Sequence, residues 1–362
     1  MRSETPETTG SPLSHLTLTV LLASRRLWLG LLLLLCLVLP NFLSSYMVYI
    51  MCLLLIYSMV AIGLNILMGY AGQISVGHTG FFAIGAYTSA IAMLSLALPF
   101  WIALPLAGLI SGGIGFLLGV PALRLSGFYL AVATLGFGIT VPLVILNSEK
   151  VSGGHMGLNP PRPTLFGFTF STDLSYYYLT FAILLLLLAV ACWLLRTKAG
   201  RAWVALRDSE TAAQAMGINL AYYKTLAFAV SGFYTGVAGS LNGHLITSIH
   251  PEGYTFTQSI MFLTFIVVGG MASIPGSIMG AVFLTVVQQI LSFGFPGLES
   301  RFKDLPAIMY GLFLIVCIMF LPGGLAGIVE KARDLIWHAR RRRARAEGGT
   351  VIETTPLANP EV

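Results

Sequence analysis

The sequence predicts an all-α fold: a polytopic transmembrane helical bundle of about ten spans. Composition is the first reason. Of 362 residues, 56% are hydrophobic and 9% charged, and the mean hydropathy is +0.85. Soluble domains carry about 25% charged residues, so this chain lacks the means to coat a globule with a solvated surface. The second reason is an uninterrupted stretch from Leu27 to Leu123 without any Asp, Glu, Lys or Arg. At roughly 20 apolar residues per crossing, that stretch holds four spans. The third is the placement of Lys and Arg, which sorts the connecting segments onto two sides of a membrane.

In chain order, residues 1–24 are polar and rich in Ser, Thr and Pro, and read as a flexible tail. Arg25 and Arg26 precede the first apolar run, at 27–43. No small-x-small cleavage site follows Pro40, so the run reads as an uncleaved span rather than a secretory signal. Further spans are expected at 46–68, 79–98, 101–120, 125–146, 177–195, 224–246, 256–272, 277–294 and 305–321. Short cytoplasmic loops collect positive charge, so Arg25 and Arg26 put the N-terminus inside. Ten alternating spans then place Arg124 inside, together with the loop 196–223 carrying Arg196, Lys198, Arg201 and Arg207. The tail 331–362, with Arg340 to Arg343 and Arg345, also falls inside. The segments 147–176 and 295–304 fall outside. The domain organisation is therefore a membrane body over 25–330 between two cytoplasmic tails.

Two interruptions differ from plain helices. Gly69-Tyr-Ala-Gly-Gln-Ile-Ser-Val-Gly-His78 and Gly269-Gly-Met-Ala-Ser-Ile-Pro-Gly276 break apolar runs in the two halves. Non-helical backbone at membrane depth survives only where protein or a water-lined cavity satisfies it, and paired Gly/Pro breaks in transporters point toward a substrate path. They also read as ordinary surface loops, and their weak likeness hints at an internal duplication. Gly80, Gly85, Ala86 and Ser89, and then Gly232, Gly236, Gly239 and Gly243, form small-residue stripes suited to close helix packing within the chain or at a dimer face.

Several chemistries are missing. The spans hold almost no ionisable groups, which ion-coupled carriers usually need. No GxxxxGK[ST] loop cradles a phosphate, so ATP hydrolysis is not expected of this chain. His78, His155, His244 and His250 are scattered, without HExxH or zinc-site spacing, and no GxSxG elbow is present. Cys36, Cys52, Cys192 and Cys317 lie within apolar segments and read as packing residues. No metal, no cofactor and no catalytic residue is expected. The basic tail suits membrane topology better than nucleic acid.

The loop 196–223 carries Ser209-Glu-Thr-Ala-Ala-Gln-Ala-Met-Gly217. Ser209 suits an N-cap, the alanines favour helix, and Gly217 suits a left-handed C-cap. A short cytoplasmic helix with a smooth alanine face fits a groove on a partner.

This loop resembles the EAA-type coupling motif of ABC importer permeases, with Glu210, Ala212, Ala213 and Gly217 in its positions. The trailing Ile-x-Leu-Pro of that motif is replaced by Tyr222-Tyr-Lys-Thr-Leu226. The run from Gly63 to Tyr87 resembles the signature of LivM-like permeases of branched-chain amino acid ABC transporters. Arg124 to Gly136, Gly153-Gly-His-Met-Gly-Leu158 and Leu321-Pro-Gly-Gly-Leu-Ala-Gly327 follow in that family's order. The resemblance spans roughly residues 45–330. It implies the permease subunit of an ATP-driven importer in a bacterial inner membrane, working by alternating access. It also implies partners: a second, related permease subunit, two cytoplasmic ATPase subunits and an extracytoplasmic substrate-binding protein. Gly153, Gly154, His155 and Gly157 become the contact loop for that binding protein. Gln73, Ser75 and His78 become candidate polar groups of the translocation path. A branched-chain amino acid is the expected substrate. A urea or short-amide permease, a stand-alone channel or secondary carrier, and an intramembrane enzyme are the alternatives.

Overall fold

The computed structural model describes residues 30–31, 33–165, 168–293 and a few C-terminal positions (311, 312, 315, 319 and 324–327). The expected tail 1–24, the segment 295–304, the body of the tenth span at 305–321 and the basic tail 331–362 lie outside the described residues.

An apolar helical segment, Leu33–Phe42, leads in and turns at Ser44. Helix α1 (Ser45–Asn65) follows. It contains no Pro and no charged side chain, and it continues as one π-helical turn, Ile66–Tyr70. The chain then runs without regular structure to Gly77 and starts α2 (His78–Leu94). Pro99 caps α3 (Phe100–Ala122), and α4 (Phe128–Asn147) follows a left-handed Gly127. After the loop 148–172 comes α5 (Asp173–Arg196), where Thr172 Oγ1 accepts from Ser175 N–H. Among the described residues, four helices are long and apolar enough to cross a membrane: α1 with its π turn, α3, α4 and α5. Only about a fifth of the α4 window is buried within the chain, at 22%. Phe128, Tyr129, Val132, Leu143 and Val144 turn outward along it, as lipid-facing residues should.

The loop 196–223 is more structured than its sequence suggested. It holds α6 (Lys198–Asp208), α7 (Glu210–Ala215) and the start of α8 (Leu220–Ile246). Thr197, Ser209 and Asn219 each supply a side-chain N-cap. Helix α6 is amphipathic. It buries Ala202, Trp203 and Leu206, and Trp203 Nε1 donates to Tyr223 O at 2.9 Å, which ties the loop to the bundle.

Helix α8 is the axis of the molecule. Its 27 residues extend about 40 Å, yet they are small rather than strongly apolar, because α2 and α3 approach its backbone directly. A methyl group on Gly236 would strike Ser111 of α3, and one on Gly85 would strike the Gly236 backbone. One on Gly239 would strike Phe82 of α2. The two small-residue stripes thus meet inside one chain.

Helices α9 (Phe256–Gly269) and α10 (Ile274–Phe293) complete the described body. The span expected at 256–272 is corrected: α9 has 14 residues, about 21 Å, against a hydrocarbon core of about 30 Å. Its start meets Thr79 at the beginning of α2, so the chain between α8 and α9 descends into the bundle before the helix begins.

The contacts divide into two ends. At one end lie the first interruption, α6–α7, Leu123 and the second interruption, with Arg207 Nη1 donating to Gly69 O at 3.4 Å. At the other lie the loop 148–172, which includes a short antiparallel hairpin (Thr164–Leu165 with Phe168–Thr169), and the segment 247–255.

Candidate functional site

Three polar clusters lie along α8, one near each end and one between. The first interruption starts at the end bearing α6 and α7 and finishes in the middle cluster. Ile66–Tyr70 turns the chain, and Gln73 N–H donates to Leu67 O at 3.0 Å. Residues 72–77 then run without regular structure into the bundle, where Val76 N–H donates to Thr134 Oγ1 at 3.0 Å. His78 opens α2 there. Its Nδ1 shares a hydrogen bond with Ser75 Oγ (3.1 Å) and its Nε2 one with Ser231 Oγ (2.7 Å). Hydroxyls both donate and accept, so they satisfy either imidazole tautomer. Ser231 lies eleven residues past Leu220, roughly 17 Å along α8, which sets His78 well below the end of the bundle. Beside it, Thr79 N–H donates to Ser259 Oγ at 3.1 Å, and Thr79 Oγ1 donates to Thr255 O at 3.3 Å. The beginnings of α2 and α9, both positive helix termini, therefore converge in the interior.

The second interruption packs onto the first through Asn65. Its Oδ1 accepts from Ala272 N–H at 2.9 Å, while its Nδ2 donates to Ser273 O (2.9 Å) and Ser277 Oγ (2.6 Å). Gly69 leaves room for this arrangement, since a side chain there would overlap both Asn65 Oδ1 and Ala272 N.

At the end bearing α7, Glu210 pairs with Lys224 of α8 at 2.6 Å. A groove of about 440 Å³ lies beside the pair, lined by Leu123, Gln214, Ile218, Asn219 and Ala221 among others. Gly217, at φ +81°, ends α7 as its sequence led us to expect.

At the opposite end, Gly153, Gly154 and Gly157 all take positive φ. Gly157 sits against Ile249 O and His250, where no side chain fits, and Leu158 exchanges both backbone hydrogen bonds with Ile249 (3.0 and 2.9 Å). His155 Nδ1 lies 2.9 Å from Glu252 Oε1 with both side chains exposed. His244 of α8 shares hydrogen bonds with Ser89 Oγ (2.8 Å) and donates from Nδ1 to Pro161 O (2.8 Å), joining α8 to this loop.

The residues singled out from sequence are thus distributed as follows. Ser75 and His78 share one buried network, whereas Gln73, also buried, bonds to Ala71 O at 3.2 Å instead. In α7, Ala213 faces inward and Ala212 and Gly217 face out, while Glu210 turns toward Lys224. Asn65, Lys224, Ser259 and the outward-facing Met216 were not singled out, and Ser231 was weighed only as a nucleophile without a GxSxG elbow. A lone amide and a lone lysine inside apolar runs were the available signals for the first two. Among the described residues, no three His, Cys, Asp or Glu side chains gather as a metal site.

A family model described as "Branched-chain amino acid transport system / permease component" matches residues 46–322. The chain is 35% identical to the high-affinity branched-chain amino acid transport system permease protein LivM of Salmonella typhimurium, over 83% of this chain and 75% of that protein. It is 25% identical to the permease protein LivH of the same organism, over 76% of this chain and 92% of LivH. It is also 28% identical to the ribose import permease protein RbsC of Haemophilus influenzae, over 65% of this chain and 73% of RbsC. No solved structure matches. With a helical membrane body, two helix interruptions that pack on each other and a family model matching most of its length, this chain belongs to the branched-chain amino acid transport system permease family.

Proposed function

We propose that this chain is the membrane-spanning permease subunit of an ATP-driven importer of branched-chain amino acids, working by alternating access. One observation carries the mechanism: a single helix, α8, touches Glu210 of α7 near its start, His78 in the interior and the 148–172 loop near its end. Movement at one end of such a rod reaches the other.

In this reading the end bearing α6 and α7 faces the cytoplasm, since Arg196, Lys198, Arg201 and Arg207 cluster there. Both termini then lie inside. Of two ATPase subunits, one docks on the outer face of α7, formed by Ala212 and Ala215 with Met216 just past its end, the last 83% exposed. The extracytoplasmic binding protein meets the loop around Gly153, Gly154, His155 and Gly157. A second, related permease completes the membrane unit, as the naming of both LivM and LivH in Salmonella typhimurium supports. Gln73, Ser75 and His78 border the path, where the meeting ends of α2 and α9 favour the carboxylate of an amino acid. Hydrolysis belongs to the ATPase partners, which fits a chain without a phosphate-cradling loop.

The test is uptake of labelled leucine into vesicles containing the complex isolated from its own membrane. Uptake should require ATP and compete with isoleucine and valine, and Met216→Asp should abolish ATPase association. Uptake that persists without ATPase subunits would replace the importer by a channel or carrier. Competition by urea or ribose alone would reassign the substrate.

A further inference from the structure

Lys224 is the one Lys, Arg, Asp or Glu side chain that is fully buried among the described residues, at 3% exposure. It stands in the second turn of α8, and its Nζ meets Glu210, the first residue of α7, at 2.6 Å. Glu210 itself is half-exposed. The backbone joining α7 to α8 passes through Gly217, which has open space around it and a left-handed conformation. That link is a short turn, held by Ile218 N–H donating to Ala213 O and by the Asn219 cap, and it is one point of attachment between the two helices.

The ion pair changes this. A buried ammonium without its counter-charge is strongly unfavourable, so Lys224 holds Glu210 through any displacement that leaves the lysine buried. Helix α7 and the first turns of α8 are then clamped at two points, the covalent link and the pair. Resting on the importer reading above, we propose that Lys224 and Glu210 form the rigid latch by which movement of α7 drives α8. Glu210 is therefore a positioning residue directed inward, and the surface offered to an ATPase is the opposite face of α7. The latch ties the start of α8 to whatever α7 does. The same helix then carries that displacement past Ser231, the partner of His78, to His244 and the loop at Pro161.

The experiment compares wild-type complex, Lys224→Met, Glu210→Gln and the exchanged double variant Glu210→Lys with Lys224→Glu, each in vesicles with its ATPase subunits and binding protein. Three quantities are read: ATPase subunits retained on purification, ATP hydrolysed, and leucine taken up per ATP. Lys224→Met and Glu210→Gln should keep their ATPase subunits and hydrolyse ATP, while uptake per ATP falls about tenfold, within the ordinary range of coupling between sites. The exchanged pair should recover most of that loss. Should Glu210→Gln fail to accumulate, Lys224→Met alone carries the test, because methionine fills the buried site and the half-exposed glutamate left behind is solvated. Loss of the ATPase subunits in the single variants would overturn the latch and make Glu210 a docking residue. Unchanged uptake per ATP, or an exchanged pair that assembles but stays uncoupled, would also overturn it. A wild-type complex without ATP-dependent uptake would instead overturn the importer reading, and the latch with it.

Discussion

His78 of α2 and Ser231 of α8 face each other across the centre of the bundle, with Nε2 and Oγ 2.7 Å apart and both side chains buried. The contact joins the end of an irregular interior segment to α8, the longest helix among the described residues. It gives the path proposed near His78 a mechanical tie to the helix that α7 would move.

Removing one partner leaves the other without this hydrogen bond in a buried site. Ser231→Ala should lower stability by about 1–3 kcal/mol, the usual cost of a buried polar group left without its hydrogen bond. Thermal unfolding in detergent reads this directly, and Ser231→Thr, which keeps the hydroxyl, should lose less. Equal losses in the two variants would show that packing, rather than the hydrogen bond, matters at this position.

Asn65 holds the two helix interruptions together with three hydrogen bonds. Asn65→Leu strands the Ala272 N–H and should cost about 1–3 kcal/mol for that group alone. The segment between α9 and α10 should then become more susceptible to proteolysis than α9 itself. Unchanged cleavage in the variant would mean that Gly269 and Gly276, which pack directly on each other, suffice to hold the segment.

The crossing of α2 on α8 depends on missing side chains. Gly85→Ala places a methyl group against the Gly236 backbone and should destabilise by about 1–3 kcal/mol, as overpacking does. Gly136 of α4 has open space around it, so Gly136→Ala should be neutral or slightly stabilising. Melting temperatures of the two variants measured side by side check the contrast.

Leu158 and Ile249 form a mutually hydrogen-bonded antiparallel pair. Such residues lie about 5.5 Å apart between Cα atoms, inside the range a disulfide spans. Leu158→Cys with Ile249→Cys should cross-link under mild oxidation, detectable as a linked peptide by mass spectrometry. Absence of the cross-link would show that the 148–172 loop does not rest on 247–255 in the membrane.

Much of this was legible in the chain itself. Long charge-free runs locate α1, α3, α4 and α5, because lipid admits only apolar side chains on a spanning helix. Ser209 and Gly217 delimit α7 because capping is a local affair of a few residues. Helix α6 went unread, since its burial of Trp203 depends on Tyr223, twenty residues away. Helix α9 was read as a full span for a similar reason: its apolar content is continuous with residues that, in the fold, are not helical.

The sequence by itself determined that this protein lives in lipid, that its charged loop gathers on one side, and that its small residues permit close helix crossings. Composition, charge placement and local capping decide those things, and each acts within a few residues of the chain. Only the tertiary structure decided that Lys224 meets Glu210, that Asn65 binds Ala272, and that His78 finds Ser231. The last two pairs are separated by 207 and 153 residues of chain, and the three rest on how α7 folds back onto α8, how α1 meets the segment between α9 and α10, and how α2 crosses α8. That choice is made by the packing of the whole bundle, where a buried polar group must find its partner or cost the fold its stability.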